Sequence, residues 1–478
     1  MYLVAAPVTL VIIGLASAWL YYWGQDLHRF TQWIAAYIWL YIAHFGFYLI
    51  ACYAVLRSPA RLPRFVTLAT VLIVIAFAVI FRLQLVDERP YLSSDTYRYI
   101  WDGRVQAAGV NPYRYIPSAP ELAHLRDEKI YPLINRADYA PTPYPPIAQA
   151  VYFLVQVVFP SSVTGFKVAM SLFDIITIVA VMLALARAGF NPARAVIFAW
   201  HPLLIWEGAH SGHIESAFIC FLALALLAWS YRKPVLVGVA LGLATMVKFY
   251  PALVLPAFMY SHQNKDSDDG AKPDGIAGWL AAIRSTLFSR PNLWMLAAFV
   301  GTIILAYLPY LSVGAGVLGY LPRELQEEGY EGGTRYFLFA LIRQVAPVPA
   351  MAFTVFAALA LIGMGLWRLT RDKRGAADVA RGAIALIGLF LLLSTPRYPW
   401  YFAWLLPYLC FAPRIGWLYL TGATILLYLL WYTPNVYPHL PLWLGASLYA
   451  PTLAFLFWEW MRERQKSGAA LAGADASP

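Results

Sequence analysis

The chain has 478 residues, of which 61% are hydrophobic and only 13% charged, with a formal net charge of +10. Ordinary globular domains carry about 25% charged residues, so a water-soluble fold is excluded and no segment is left to form a separate soluble domain. The basic balance does not point to nucleic acid, because the Lys and Arg fall mostly in short connections, where they set topology and meet anionic lipid.

Apolar runs of about 18 or more residues recur along the chain, which reads as an all-α, polytopic transmembrane protein of about 13–14 spans. The expected spans are 3–23, 33–56, 65–86, 165–187, 193–208, 215–231, 234–249, 250–262, 293–313, 350–370, 378–395, 398–413, 415–433 and 441–461. The first is taken as a retained span, since it has no basic leader region and no clear cleavage site. Pro251 and Pro256 interrupt the helix ladder near 250, so the pieces on either side are either one kinked span or two; two keep the alternation below. The three cysteines, Cys52, Cys220 and Cys410, each lie in an apolar run and read as small core residues.

Arginines orient the set. Arg57, Arg61 and Arg64 fill one short loop; Arg187 with Arg194, Arg232 with Lys233, and Arg368 to Arg374 fill others; and Arg462, Arg464 and Lys466 follow the last span. With all of these cytoplasmic, both termini lie inside. The opposite face then receives 24–32, 87–164, 209–214, 314–349, 396–398 and 434–440. This divides the chain into N-terminal spans (1–86), a large external loop (87–164), a transmembrane core (165–262), a flexible cytoplasmic loop (263–290), C-terminal spans (291–465) and a disordered tail (466–478). Ile147 to Pro160 is too short to cross comfortably and is expected to lie on the outer interface.

The dense polar motifs all fall on the external side. The first is Ser93-Ser-Asp-Thr-Tyr-Arg-Tyr-Ile-Trp-Asp-Gly-Arg104, followed by Asn111-Pro-Tyr-Arg-Tyr115. Ser94 can cap a helix starting at Asp95. On that helix Asp95, Tyr99 and Asp102 share a face, and Arg98 stands four residues before Asp102. One reading makes Asp95 a general base with Arg98 and Arg104 holding phosphate; the bland one is an interfacial helix whose charges pair with each other. Next comes Tyr144-Pro-Pro146, a rigid turn ahead of the interfacial segment. A turn with Glu207, His210, His213 and Glu215 follows, suited to hydrogen bonds with sugar hydroxyls. A divalent metal there is the lesser alternative, since the spacing matches no zinc or manganese template. Lys248, at the outer end of an apolar run, suits a phosphate as a point charge or snorkels to headgroups. Arg397 and Tyr398, in Thr395-Pro-Arg-Tyr-Pro-Trp-Tyr401, put a cation among aromatics on the face where the positive-inside rule would not place one. Arg335 is a lesser candidate after the acidic run Glu324 to Glu331. No Walker A loop and no Gly-rich nucleotide fingerprint is present, so a transferred group would come on a lipid carrier rather than a nucleotide.

In this order, the motifs Ser94-Asp95-Thr-Tyr-Arg-Tyr99, Asn111-Pro-Tyr113, Tyr144-Pro-Pro146, Glu207-Gly-Ala-His-Ser-Gly-His213, Lys248-Phe-Tyr-Pro251 and Arg397-Tyr-Pro-Trp-Tyr401 resemble the GT-C integral-membrane glycosyltransferases that use polyprenyl-phosphate sugars. The nearest likeness is to family-87-like bacterial mannosyltransferases, over roughly Pro90 to Tyr401. The turn departs from the Gly-His-Asn-Asp common in that family, reading Gly212-His-Ile-Glu215. The resemblance implies a GT-C-like fold and hexose transfer, mannose being the commonest sugar. The donor would be polyprenyl-phosphate-linked, and the acceptor a hydroxyl of a glycolipid, glycan or protein. It further implies inversion, Asp95 as base, an active site facing the exterior of a bacterial inner membrane, and no resident cofactor. Lys248, Arg397, Arg98 and Arg104 would contact the donor phosphate. Tyr99, Asp102, Tyr144, Glu207, His210, His213, Glu215 and Tyr398 would contact sugar or acceptor. A lipid-linked oligosaccharide ligase and a lipid or sugar transporter are the rivals; the transporter predicts ionisable groups at mid-membrane, for which Asp174 is the main candidate.

Overall fold

The computed structural model describes residues 2–29, 33–59, 63–261, 275–333, 335–432 and 440–474. Among them every regular element is a helix. Among the described residues seven helices are long and apolar enough to cross a membrane, including Trp33–Leu56, Arg64–Leu85, Val163–Arg187 and Ala376–Ser394. With the helical composition this makes the chain a polytopic integral membrane protein.

Several helix ends meet in two groups. Gly24, at the end of α1 (Tyr2–Gly24), accepts from the Tyr91 hydroxyl, and Trp33, opening α2 (Trp33–Leu56), packs on the same ring. The α3 helix (Arg64–Leu85) ends beside them, where the Glu88 carbonyl accepts from Lys167. In the second group the Arg187 guanidinium lies over Tyr231 and Arg232 lies over Trp229 and Tyr260; Arg414 pairs with Glu463. The connections bearing Arg187 and Arg232 therefore lie together, apart from the ends grouped around Tyr91.

Helix Glu215–Ser230 decides the ambiguous segment near Pro251. Its first residue, Glu215, pairs with Lys248, while Trp229, at its far end, donates to the Phe258 carbonyl at 2.9 Å. The chain therefore travels up to Lys248 and back down to Phe258, as two passes. Several passes are not continuous α-helices. The expected span 193–208 is broken into short pieces ending in a π-helical turn, Ile205–His210. The span expected at 250–262 is 3-10 helix Tyr250–Val254 followed by Leu255–Phe258, and the one at 398–413 is Pro399–Leu405 followed by Leu406–Leu409. Each contains prolines, which remove a ladder donor and clash with the preceding turn.

Two expectations about the connections change. The segment read as a flexible loop contains helix Gly275–Leu287, while Asp266, Asp268 and Asp269 lie outside the described residues. The last helix runs Leu442–Ala474, into the stretch expected to be a disordered tail.

The external loop is built on two short helices, α4 (Asp95–Ala107) and α5 (Pro146–Val158). Gly103 makes their contact possible: a Cβ there would stand 2.5 Å from the Tyr152 carbonyl oxygen. Along α5, Ala148, Gln149, Val151, Tyr152 and Val155 are buried, while Leu154, Val157 and Val158 are exposed. That one-sided pattern suits a helix lying along the membrane interface. The α6 helix (Val163–Arg187) carries Asp174, which is fully buried and paired with Arg82 at 3.0 Å. The mid-membrane carboxylate thus has a fixed counter-ion from α3, and nothing about it requires a transport path.

Candidate active site

A cavity of about 750 Å³ opens above the transmembrane core. Three parts of the chain line it: the start of α4 with Asn135 and Arg136, the Tyr144-Pro145 turn with Lys248, and residues from Leu321 to Tyr401.

Asp95 is the first residue of α4, where unpaired helical N–H groups favour an anion. Ser94, the expected cap, makes no side-chain bond; Ser93 Oγ instead accepts from the Asp95 N–H at 3.2 Å. One Asp95 carboxylate oxygen accepts from Asn135 Nδ2 at 2.7 Å, and the other is 3.8 Å from His213 Nδ1. The side chain keeps 22% of its surface exposed, so it is oriented but still reachable.

The Glu/His turn is not an outward polar turn. Glu207, His210, His213 and Glu215 are all buried. His213 lies between two carboxylates, 3.3 Å from Glu207 and 3.8 Å from Asp95, and stacks on Trp400 with ring centroids 3.8 Å apart. Burial pushes its pKa down, but Glu207, Asp95 and Glu215 outweigh burial and hold it above the ordinary histidine value. Glu207 also accepts from the Tyr428 hydroxyl at 2.7 Å. His210 is packed edge-on against Tyr91 and does not line the cavity. Glu215 is held by Lys248. No group of three His, Cys, Asp or Glu among the described residues is arranged to hold a metal ion.

Tyr144 and Lys248 come together through backbone. Pro145 and Pro146 have no N–H to give, and the next two, from Ile147 and Ala148, both reach the Met246 carbonyl at 2.8 and 3.2 Å. The Lys248 ammonium lies 4.6 Å from the Tyr401 ring centre and 6.0 Å from that of Tyr144. Tyr144 also approaches Tyr99, hydroxyl to hydroxyl, at 3.5 Å.

The far wall is lined by Glu328, Arg335, Tyr398 and Trp400, and next to it, without itself lining the cavity, stands Arg397. It is buried and pairs with Glu328 at 2.7 Å; Arg335 pairs with the same carboxylate oxygen at 2.7 Å. Burial pushes the Glu328 carboxyl up, yet Arg335, Arg397 and Arg136 outweigh it and hold it below the usual range. Tyr398 donates to Glu328 at 3.4 Å and stacks on Trp400, whose other neighbour is His213. Tyr398, Trp400 and His213 thus form a continuous stack from the arginine cluster to Asp95. Thr395 turns the chain into this wall with φ of 45°, costly for a β-branched residue. Its hydroxyl accepts from the Phe337 N–H, two residues after Arg335, at 3.1 Å.

Of the expected site residues Asp95, Tyr144, Lys248 and Tyr398 line the cavity; His213, Glu215 and Arg397 stand next to its lining residues, with Glu207 beside His213, His210 packs on Tyr91, and four more on α4 lie elsewhere. Arg98 and Asp102 are buried and pair with each other at 2.9 Å, Arg98 also donating to the Ala140 carbonyl and Asp102 accepting from Gln149. Arg104 pairs with Asp127 and donates to the Leu125 carbonyl. Tyr99 is buried and stacks on Tyr152. None of the four lines the cavity. The two arginines are spent bracing the external loop, because a buried guanidinium without a carboxylate or carbonyl partner would be prohibitively costly. Conversely, Asn135, Arg136, Glu328 and Trp400 line the cavity and were not expected there. The run Glu324 to Glu331 was the one signal for Glu328.

A model of the MptA_B family, described as alpha-(1->6)-mannopyranosyltransferase, N-terminal domain, matches residues 4–262. The chain belongs to this family. No curated protein matches it. The mannosyltransferase match covers Asp95, Asn135, Arg136, Tyr144, Glu207, His213, Glu215 and Lys248, and it stops before Glu328, Arg335, Arg397 and Trp400. The cavity of this mannosyltransferase is therefore closed by a C-terminal wall outside the matched domain.

Proposed function

We propose that this mannosyltransferase moves mannose from a polyprenyl-phosphate donor to an acceptor hydroxyl, with inversion, using Asp95 as the general base. The observation that carries the reading is the state of Asp95: one oxygen is fixed by Asn135, the carboxylate is partly exposed, and it faces a cavity with cations on the other walls.

In this reading the acceptor O–H lies against Asp95. Its oxygen attacks the anomeric carbon while Asp95 takes the proton, and the bond from that carbon to the phosphate oxygen breaks. Sugar charge builds as in other glycosyl transfers with oxocarbenium character. The bonding pair leaves with the phosphate, so preset cations there favour the transition state over the ground state. Lys248 and Arg397 are the proposed phosphate contacts, joined by Arg335 and Arg136. Tyr144, Tyr398 and Trp400 would frame the sugar. Leu321, Leu325, Phe249 and Phe390 supply apolar wall for a prenyl chain. In this reading the cavity faces the non-cytoplasmic side, as the positive-inside rule favours, of a bacterial inner membrane.

The test is a donor comparison with purified full-length protein, using labelled polyprenyl-phosphate mannose beside a nucleotide-linked mannose, and membrane lipid extracts as acceptor. Label should transfer from the lipid donor only, giving a product of opposite anomeric configuration. Transfer from the nucleotide sugar, or retention of configuration, would refute the reading.

A further inference from the structure

Three guanidiniums converge on one carboxylate. Arg335 and Arg397 each lie 2.7 Å from Glu328 Oε2, and Arg136 lies 3.9 Å from Oε1. Arg397 also donates to the Glu328 carbonyl at 3.2 Å, and the Tyr398 hydroxyl completes the set. Arg335 and Arg397 are each 3% exposed. Arg136 further meets Glu327 at 3.0 Å and Glu324 at 3.7 Å. Holding Arg335 and Arg397 out of water requires an anion in their midst, and the anion present is the chain's own Glu328.

Three guanidiniums around two oxygens is the geometry that binds a phosphate. The segment carrying Glu328 is also built to be separable. It follows the short helix Leu321–Glu327 and is bounded by glycines with positive φ: Gly319 at 55°, Gly329 at 78° and Gly333 at 68°. Tyr320 ties its start to the Thr142 carbonyl at 3.1 Å, so the base of the segment is anchored, while the Glu328 carboxylate is held by the arginines and the Tyr398 hydroxyl.

Resting on the donor proposed above, we infer that the Arg136–Arg335–Arg397 cluster is the seat of the leaving phosphate and that Glu328 is its exchangeable occupant. Glu328 keeps the arginines in place in the empty enzyme and is displaced as phosphate charge develops. The exchange has a chemical preference. The donor is a phosphodiester with one negative charge, whereas the released polyprenyl phosphate is a monoester carrying about −1.5 to −2 at neutral pH. A site that must expel a carboxylate favours the ligand with more charge, so it discriminates for the product-like phosphate.

The experiment is binding of a short-chain polyprenyl phosphate to purified full-length wild type, Glu328→Gln and Asp95→Asn by titration calorimetry, with the uncharged polyprenol as control. Removing the internal competitor should tighten phosphate binding by about ten-fold or more. Polyprenol binding should not change, and Asp95→Asn should bind like wild type. Equal or weaker binding by Glu328→Gln would mean that Glu328 only braces the arginines, and the inference would fall while the donor reading stood. No phosphate binding by any of the three would sink the donor reading itself. Should Glu328→Gln not fold, hydrogen exchange in wild type decides: 321–333 should exchange faster with polyprenyl phosphate bound, and unchanged protection overturns the inference.

Discussion

The α4 helix carries two aspartates, Asp95 and Asp102, two turns apart and in opposite circumstances. Asp102 is closed off: Arg98 occupies one oxygen, Gln149 the other, and solvent reaches neither. Asp95 has one neutral hydrogen bond, a histidine at ion-pair distance and an exposed edge on a cavity. Sharing a helix face therefore says little about role. What separates them is depth: the N-terminus of α4 enters the cavity, while its last turns are packed under α5 and the loop.

The contrast can be broken by substitution. Asp95→Asn should lower turnover by about two to four orders of magnitude, the usual worth of a general base, with the melting temperature unchanged. Arg98→Ala should do the reverse: it strands the Asp102 carboxylate and should cost about 3–5 kcal/mol of stability, read as a loss of folded protein on heating. Gly103→Ala should fall between them. The added methyl meets the Tyr152 carbonyl, and overpacking of that kind costs about 1–3 kcal/mol; α4 should shift and activity drop without any change at Asp95.

The smallest expected effect is a pH dependence. The folded pKa of His213 lies above the ordinary 6.5. Its pairing with Glu207 and Asp95 is then fully present below about pH 6.5 and is lost as pH rises through the folded value. Wild type should lose thermal stability over that rise, and His213→Gln should not. A parallel slope in both proteins would remove His213 from the interaction.

Much of the fold was legible because arginine placement and apolar length act locally. The Arg187 and Arg232 connections come together as the sequence expected, and the two-pass reading at Pro251 agrees with the Phe258 contact to Trp229. Asp95, Lys248 and Arg397 stand out singly in the sequence; the cavity gathers Asp95 and Lys248, and Arg397 pairs with Glu328 of its lining. Pairing over distance was not legible. The i,i+4 spacing of Arg98 and Asp102 did announce their ion pair. Glu328 is 69 residues from Arg397, and no local pattern links them. The Glu/His turn looked exposed because it is polar; its burial comes from packing against Tyr91, Tyr428 and Trp400.

The central claim is that one partly exposed carboxylate performs the proton transfer. Single-turnover transfer from polyprenyl-phosphate mannose, compared between wild type and Asp95→Asn at saturating donor, tests it most directly. The account predicts a rate lower by about 10²–10⁴ in the variant, with donor affinity preserved. A variant rate within a few-fold of wild type would contradict it.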